Sequence, residues 1–212
     1  MNEDGSQVVL DRFTGDFRLK EAPEEGRLRQ GLVVDVEATG VDIRRDTVIE
    51  FAARPFTFDK ETGAVVAVGP SFDSLNDPGE PLTPFISRLT GLTDADLAGQ
   101  ALDVKGASAL IEGADLIIAH NARYDRPMVE RAIGKSRKIW ACSWSMIDWT
   151  GLGFPAGKLE TLAIYHGFFF GAHRADADVD GLLHLLTFDN PETGAPYLAD
   201  LPMEPRKDFA GT

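Results

Sequence analysis

The stretch GLVVDVEATG, residues 31–40, constrains this chain more than any other. Leu32, Val33, Val34 and Val36 make an extended segment apolar on both faces, which is the pattern of a strand covered on both sides. Such a strand calls for helices above and below a sheet, an α/β architecture. The same strand carries Asp35 and Glu37. Side chains alternate along a strand, so i and i+2 share a face and the two carboxylates stand side by side. Burying an ionised carboxylate without a partner is expensive. Either that face is solvated and the pair is ordinary surface charge, or a cation lies between the two acids. The apolar flanks argue against a solvated face, although the spacing D-x-E alone is common.

The segments that follow fill in an α/β domain. DTVIEFAARPFTFD reads as a second strand, apolar on both faces, and GAVVAVGPSFDSL as a third. Thr62-Gly63 between them predicts an antiparallel turn. NDPGEPLTP is a loop, and TPFISRLTGLTDADLAGQ reads as two short helices, the second starting near Thr93. VKGASALIEGA is a helix, DLIIAH a buried strand and NARYDRPMVERAIG a helix stopped by Gly134. KIWACSWS reads as a short strand, MIDWTGL as a short helix and KLETLAIYHG as a helix ended by Gly167. The last strong element runs from about Ala175 to Leu186. The expected division is a polar arm or edge segment over residues 1–30, with a short strand around Gln7 to Phe13. One α/β domain over 31–187 and a Pro-rich polar tail over 188–212, with at most one short helix around Tyr197 to Leu201, follow.

Two further acids fall where a site can form. Pro127 belongs in the first turn of a helix, so the helix should begin close to Asp125. Asp125 is then either the N-cap or an acid on the apolar face, because Met128, Val129 and Ala132 lie at i+3, i+4 and i+7. In HRADADVDGLLHLL, Val179, Leu182, Leu183 and Leu186 form the inward stripe. Asp178 sits beside that stripe, since each residue advances about 100°. Asp176, Asp180 and His184 share another face, expected to be solvated. His173 lies in the entering loop, either incidental or free to swing towards a site.

Composition bounds the setting. No apolar run approaches the ~20 residues needed to cross a bilayer, so no membrane association is expected. A single cysteine, Cys142, rules out an internal disulfide and suits a reducing compartment, with the cytoplasm as the default. The net charge of −13 argues against broad nonspecific binding to nucleic acid, but says little about one local site. Arg44, Arg45, Arg123, Arg126, Lys158 and Arg174 lie close to the acidic segments in sequence. Each is either a solvated charge or a phosphate contact, and Arg174 is the first choice for the latter. Of Phe168, Phe169 and Phe170, at least two should pack in the core, leaving at most one to stack on a base.

Taken in order, DVEATG, AHNARYD and HRADAD resemble the three motif segments of DnaQ-like 3′→5′ exonucleases, the DEDD superfamily in its His-containing branch. LTGLTDADLAG and KLETLAIYHGF are similar to its linking segments, so the resemblance spans about residues 31–187. It implies an RNase H-like fold, with a five-stranded mixed sheet flanked by helices. It matches Asp35, Glu37, Asp125 and Asp178 to metal-binding catalytic acids and His173 to the general base. It also matches Thr39 and Gly40 to a turn against the terminal nucleotide; Asn121 and Arg174 complete the expected substrate-binding set. Ala38 departs from the family's frequent Thr or Ser after the Glu, removing a hydroxyl expected near the site. Hard oxygen ligands suit two divalent ions, Mg²⁺ or Mn²⁺. Asp35 would bridge them, Glu37 and Asp178 would complete one shell, and Asp125 would hold the other ion.

The expected reaction is stepwise hydrolysis from the 3′ end of single-stranded nucleic acid, DNA before RNA, releasing nucleoside 5′-monophosphates. An RNA-processing exoribonuclease and a catalytically silent nucleic-acid- or polymerase-binding module are the competing readings. A DNA polymerase partner and a homodimer are the further partners considered.

Overall fold

The computed structural model describes residues 9–23 and 26–202. In chain order the strands are β1 (Asp11–Arg12), β2 (Leu28–Ala38), β3 (Val48–Asp59), β4 (Val65–Val68), β5 (Phe72–Leu75), β6 (Leu116–Ala119), β7 (Ile139–Cys142) and β8 (Phe168–Phe169). The helices are α1 (Pro84–Thr90), α2 (Asp94–Leu97), α3 (Val104–Gly113), α4 (Ala122–Ala132), α5 (Ser143–Met146), α6 (Leu159–Tyr165) and α7 (Ala175–Leu186). A 3₁₀ turn follows at Tyr197–Asp200.

The main sheet runs β4-β3-β2-β6-β7, with β5 also paired to β3. β3 is antiparallel to β2, β4 and β5, whereas β2, β6 and β7 are parallel. This is the expected mixed sheet with one refinement. The outer antiparallel edge is two short strands because Gly69-Pro70 interrupts it, and Pro cannot donate to a ladder. Helices cover both faces, as the doubly apolar β2 requires. On one face Val33, Ala52, Ile118 and Ala141 pack with α6 and α7. On the other, Leu32, Val34, Val36, Phe51 and Ile117 pack with α3 and α4. Each fully buried Leu or Val contributes roughly 1.5–3 kcal/mol relative to exposure, so α7 is held firmly by Val179, Leu182, Leu183 and Leu186.

Several expectations shift. The short helix foreseen over MIDWTGL lies one turn earlier, as α5. Downstream, the Asp148 carboxylate accepts from Thr150 Oγ1 and the Gly151 amide, a local turn that competes with helix. Of the strand expected around Gln7 to Phe13, only β1 forms, parallel to β8 in a separate ribbon; Gln7 and Val8 lie outside the described residues. The polar tail expected from residue 188 is packed as far as Leu201. Tyr197, Leu198 and Leu201 are buried in the α7-side core, and the Tyr197 hydroxyl pairs with His166 Nε2 at 3.1 Å. Residues 203–212 of that tail lie outside the described residues.

Nor is the face of Asp176, Asp180 and His184 solvated throughout. Phe13 and Phe17 of the N-terminal arm close over it, their ring centroids 4.4 and 6.4 Å from that of His184. Burial pushes the His184 pKa down to about 4, so the ring stays neutral. Asp180 accepts from Arg54 Nε and Nη2 at 2.5 and 2.6 Å. No helix among the described residues is long and apolar enough to cross a membrane.

Candidate active site

The parallel strands β2 and β6 end at the same edge of the sheet, where an open crevice is expected in α/β folds. A cleft of about 370 Å³ lies there. Asp35 and Glu37 enter it from β2, pointing the same way by strand alternation. Asp178 enters from the first turn of α7. One carboxylate oxygen from each of these three acids lies within 4.8 Å of the others. Asp125 joins the lining from α4. The helix begins earlier than expected, at Ala122, so Asp125 is not the N-cap; Asn121 is. Pro127 therefore sits inside the helix instead of in its first turn. Asp125 is buried with Met128 and Val129, on the apolar face.

His173 stands on the rim. Its side chain is 47% exposed and its Nε2 lies 3.4 Å from Glu160 Oε1. Among the described residues it is the one non-glycine with a left-handed backbone, at φ 64°. That conformation turns the chain sharply into α7 and keeps the imidazole over the cleft. Asp178 Oδ2 is buried and has no hydrogen-bond partner. A buried carboxylate oxygen without a donor is costly unless something positive satisfies it. With two more carboxylates within reach and oxygen ligands throughout, the residues fit a hard divalent cation.

A family model described as RNase_T, exonuclease, matches residues 32–186. The chain belongs to this exonuclease family. The DNA polymerase III PolC-type protein of Bacillus subtilis (strain 168) is 30% identical over 183 residues, covering 80% of this chain and 12% of that protein. Its counterpart in Listeria monocytogenes is 33% identical over 105 residues, covering 49% and 7%. The chain thus spans a small part of these relatives' length. Among solved structures, exonuclease X in complex with 5′ overhanging duplex DNA is similar at a TM-score of 0.54 and 16% identity, over 80% of this chain and 99% of that one. The Escherichia coli exonuclease I–single-stranded DNA complex is similar at 0.63 and 19%, over 81% and 42%. These likenesses show the RNase H-like fold, and family membership makes the chain a nuclease that hydrolyses phosphodiester bonds.

The exonuclease's acids repel one another. Burial first, and then the charges of Asp125, Asp178 and Glu37, push Asp35 well above the usual carboxylate range. Burial also lifts Glu37 and Asp125 to about 7 and Asp178 to about 8. Four acids that resist ionisation together form a site with an electrostatic demand for cations.

The remaining expected residues are placed differently from one another. Asn121 is exposed and lines the cleft, its side chain unused as a cap. Thr39 and Gly40 are turned inward. The Thr39 hydroxyl donates to Asp46 Oδ1 at 3.3 Å and accepts from the Thr47 amide at 3.0 Å. A Cβ at Gly40 would meet Asp46 Oδ2 at 2.5 Å, which explains the glycine. The Gly40 carbonyl accepts from the Tyr124 hydroxyl at 2.7 Å. Ala38 lies on the other face of β2, in the core with Val36 and Val48, so a hydroxyl there would not face the acids. Phe168 is buried, Phe170 packs against the same core and Phe169 is exposed.

Arg174, the expected phosphate contact, is paired with Glu50 while its side chain stays 42% exposed. Its Nε and Nη2 donate to Glu50 Oε1 at 3.0 and 2.7 Å. Glu50 is fully buried, pairs in register with Glu37 across β2 and β3, and also accepts from the Ala175 amide at 3.1 Å. It therefore ties the start of α7 to β3, the direct neighbour of the strand bearing Asp35 and Glu37, and so helps fix where His173 and Asp178 sit. Strand alternation gave Glu50 a face but no partner, because Arg174 is far away in sequence. Displacing a catalytic group by about 1 Å can cost ~100-fold in rate. Glu50→Gln should therefore lower kcat by about 10- to 100-fold with less than about twofold change in KM. Steady-state kinetics on an oligonucleotide check this; an unchanged kcat would remove the positioning role.

Two wall residues escaped the sequence reading altogether. His120 is held by Ser143 Oγ at 2.8 Å and the Gly157 carbonyl at 2.7 Å, and burial keeps it neutral by pushing its pKa down to about 4. It stacks on Trp144 at 5.6 Å between centroids, and Trp144 is an exposed ring facing the cleft. The AHN segment held the one signal, a polar residue directly after a buried strand.

Proposed function

We propose that this exonuclease removes nucleotides from the 3′ end of single-stranded DNA and releases nucleoside 5′-monophosphates, using two Mg²⁺ or Mn²⁺ ions and His173 as general base. One observation carries the reading. The partnerless Asp178 Oδ2 lies in a cluster of three carboxylates beneath an exposed histidine. When bound, the divalent ions supply charge stabilisation at the phosphate and at the departing 3′ oxygen. Asp35, Glu37, Asp125 and Asp178 would hold the ions. The His173 imidazole takes the proton of the attacking water, and Glu160 at 3.4 Å steadies the cation that results. Trp144 offers a stacking face to a base, and stacking of this kind is worth roughly 1–3 kcal/mol.

The DNA preference draws on the solved relatives, which were captured with single-stranded or overhanging duplex DNA. The PolC-type relatives support action beside a DNA polymerase.

The test is a side-by-side digestion of single-stranded DNA, duplex DNA and RNA, each labelled at the 5′ end, with Mg²⁺, Mn²⁺ or a chelator. A descending ladder on single-stranded DNA, abolished by the chelator, is expected. Release of the 5′ label as mononucleotide, or faster loss of RNA, would overturn the direction or the substrate. Asp176→Ala serves as the control. Asp176 lies outside the cleft lining and accepts from the Ala177 amide, so activity should stay within about twofold, as expected of substitutions away from reacting groups.

A further inference from the structure

A second cleft, of about 580 Å³, lies on the other side of the loop that follows β2. Arg44, Arg45 and Arg131 line it together with Thr47, Asn76 and Leu102, and no carboxylate is among its lining residues. In a chain of net charge −13 this is a marked inversion. The catalytic cleft is lined by Asp35, Glu37, Asp125, Glu160 and Asp178. Asp42, beside the arginines, accepts from the Arg44 amide at Oδ1 and its Oδ2 lies 3.8 Å from Arg45 Nε. Arg44 and Arg45 are both exposed.

The two clefts share a wall. Residues 40–46 lie along one face of α4, pinned at two points. The Tyr124 hydroxyl holds the Gly40 carbonyl on the catalytic side, and Arg131 Nη1 holds the Ile43 carbonyl at 2.7 Å on the arginine side. Tyr124 and Arg131 are seven residues apart, two helical turns, so the pins share a face and stand about 10 Å apart along the axis. A single strand whose terminal phosphodiester sits at the acids would cross this shared wall to bring backbone phosphates to the arginines. Guanidinium groups present a planar donor fork that suits phosphate oxygens.

We propose that the arginine cleft is a phosphate subsite that holds the substrate's backbone beyond the wall it shares with the catalytic cleft, with Arg44 and Arg45 as its ligands and Arg131 as the residue that fixes their loop. The proposal rests on the exonuclease reading and adds a second grip on a polyanion to the one Lys158 offers in the catalytic cleft.

The experiment uses Arg44→Ala/Arg45→Ala in the full chain. Both side chains are exposed, so the fold is retained. Steady-state kinetics are measured on a single-stranded 16-nucleotide oligomer and on a dinucleotide, which is too short to reach the arginines, across a salt series. Because the double variant no longer neutralises two phosphates, the slope of log KM against log salt for the oligomer falls by about 1.4, at ~0.7 for each phosphate. Its KM rises about tenfold or more at low salt, whereas the dinucleotide KM changes less than twofold. An unchanged oligomer KM and slope would overturn the subsite. So would equal losses on both substrates, which would place the effect at the acids instead. Fluorescence anisotropy of the same oligomer with Asp178→Asn protein, with and without the arginine changes, reads the subsite even if the wild type cuts neither substrate. That result would sink the exonuclease reading alone.

Discussion

Asp178→Asn should abolish nucleotide release, by about 1,000-fold or more, and yet stabilise the metal-free protein at pH 8. The loss follows because Asn keeps the shape but removes the charge that, with Asp35 and Glu37, would bind the cation; metal participation in the reaction is worth several kcal/mol. The gain follows from linkage. Asp178 titrates at about 8 in the folded protein, because of burial and then the charges of Glu37 and Glu160. In the unfolded chain it titrates near 4. Between those values the folded state binds more protons than the unfolded, so stability is full below about pH 4 and falls as pH rises towards 8. Glu37 and Asp125, both raised to about 7, add to the same decline.

Melting curves in a chelator should therefore show the wild type losing stability from pH 5 to 8. Asp178→Asn should lose less, its advantage growing with pH at about 2–4 °C for each kcal/mol relieved. Millimolar Mn²⁺ should restore the wild type at pH 8 and leave the variant unmoved, since only the bound folded state gains. A variant that melts below the wild type at pH 8 in chelator would mean that the Asp178 carboxylate is satisfied by the protein itself.

The parts of this molecule that could be read from the sequence are those governed by local periodicity. Alternation along β2 put Asp35 and Glu37 on one face, and the 100° advance along α7 singled out Asp178 over Asp176. The helices on both faces of the sheet followed from a strand apolar on both sides, while the mixed sheet was implied by the family resemblance. What stayed hidden was long-range. Glu50 looked like one polar residue in a strand, and its meaning depends on Arg174 and the Ala175 amide, brought to it by the packing of α7 on β3. His184 and Asp180 looked solvated because helical periodicity cannot show that Phe13 and Phe17 fold back over them or that Arg54 reaches across. The turn at Thr39 and Gly40, matched by resemblance to the terminal nucleotide, is also held by Asp46 from across its own loop, a contact that local periodicity does not show. The arginines of that loop were visible as charges, but a shared cleft with Arg131 emerges only once α4 lies beside them.

His173→Ala should cost about 100- to 10,000-fold in kcat, the range for a general base, while divalent-ion binding survives. The two effects separate because His173 is outside the carboxylate cluster, exposed on the rim and paired only with Glu160. Ion binding is read as the Mn²⁺-induced rise in melting temperature, which should match the wild type. Stability should barely move, since the imidazole buries little surface and the left-handed backbone at φ 64° is equally strained for Ala. His173→Gly separates backbone from side chain. Glycine accepts that φ without penalty, so it should melt higher than Ala yet be as inactive. If Gly recovers activity that Ala lacks, the position matters as a turn into α7 and the proton must go elsewhere. If Ala loses the Mn²⁺ shift, the imidazole is a ligand and the assignment of the base to His173 fails.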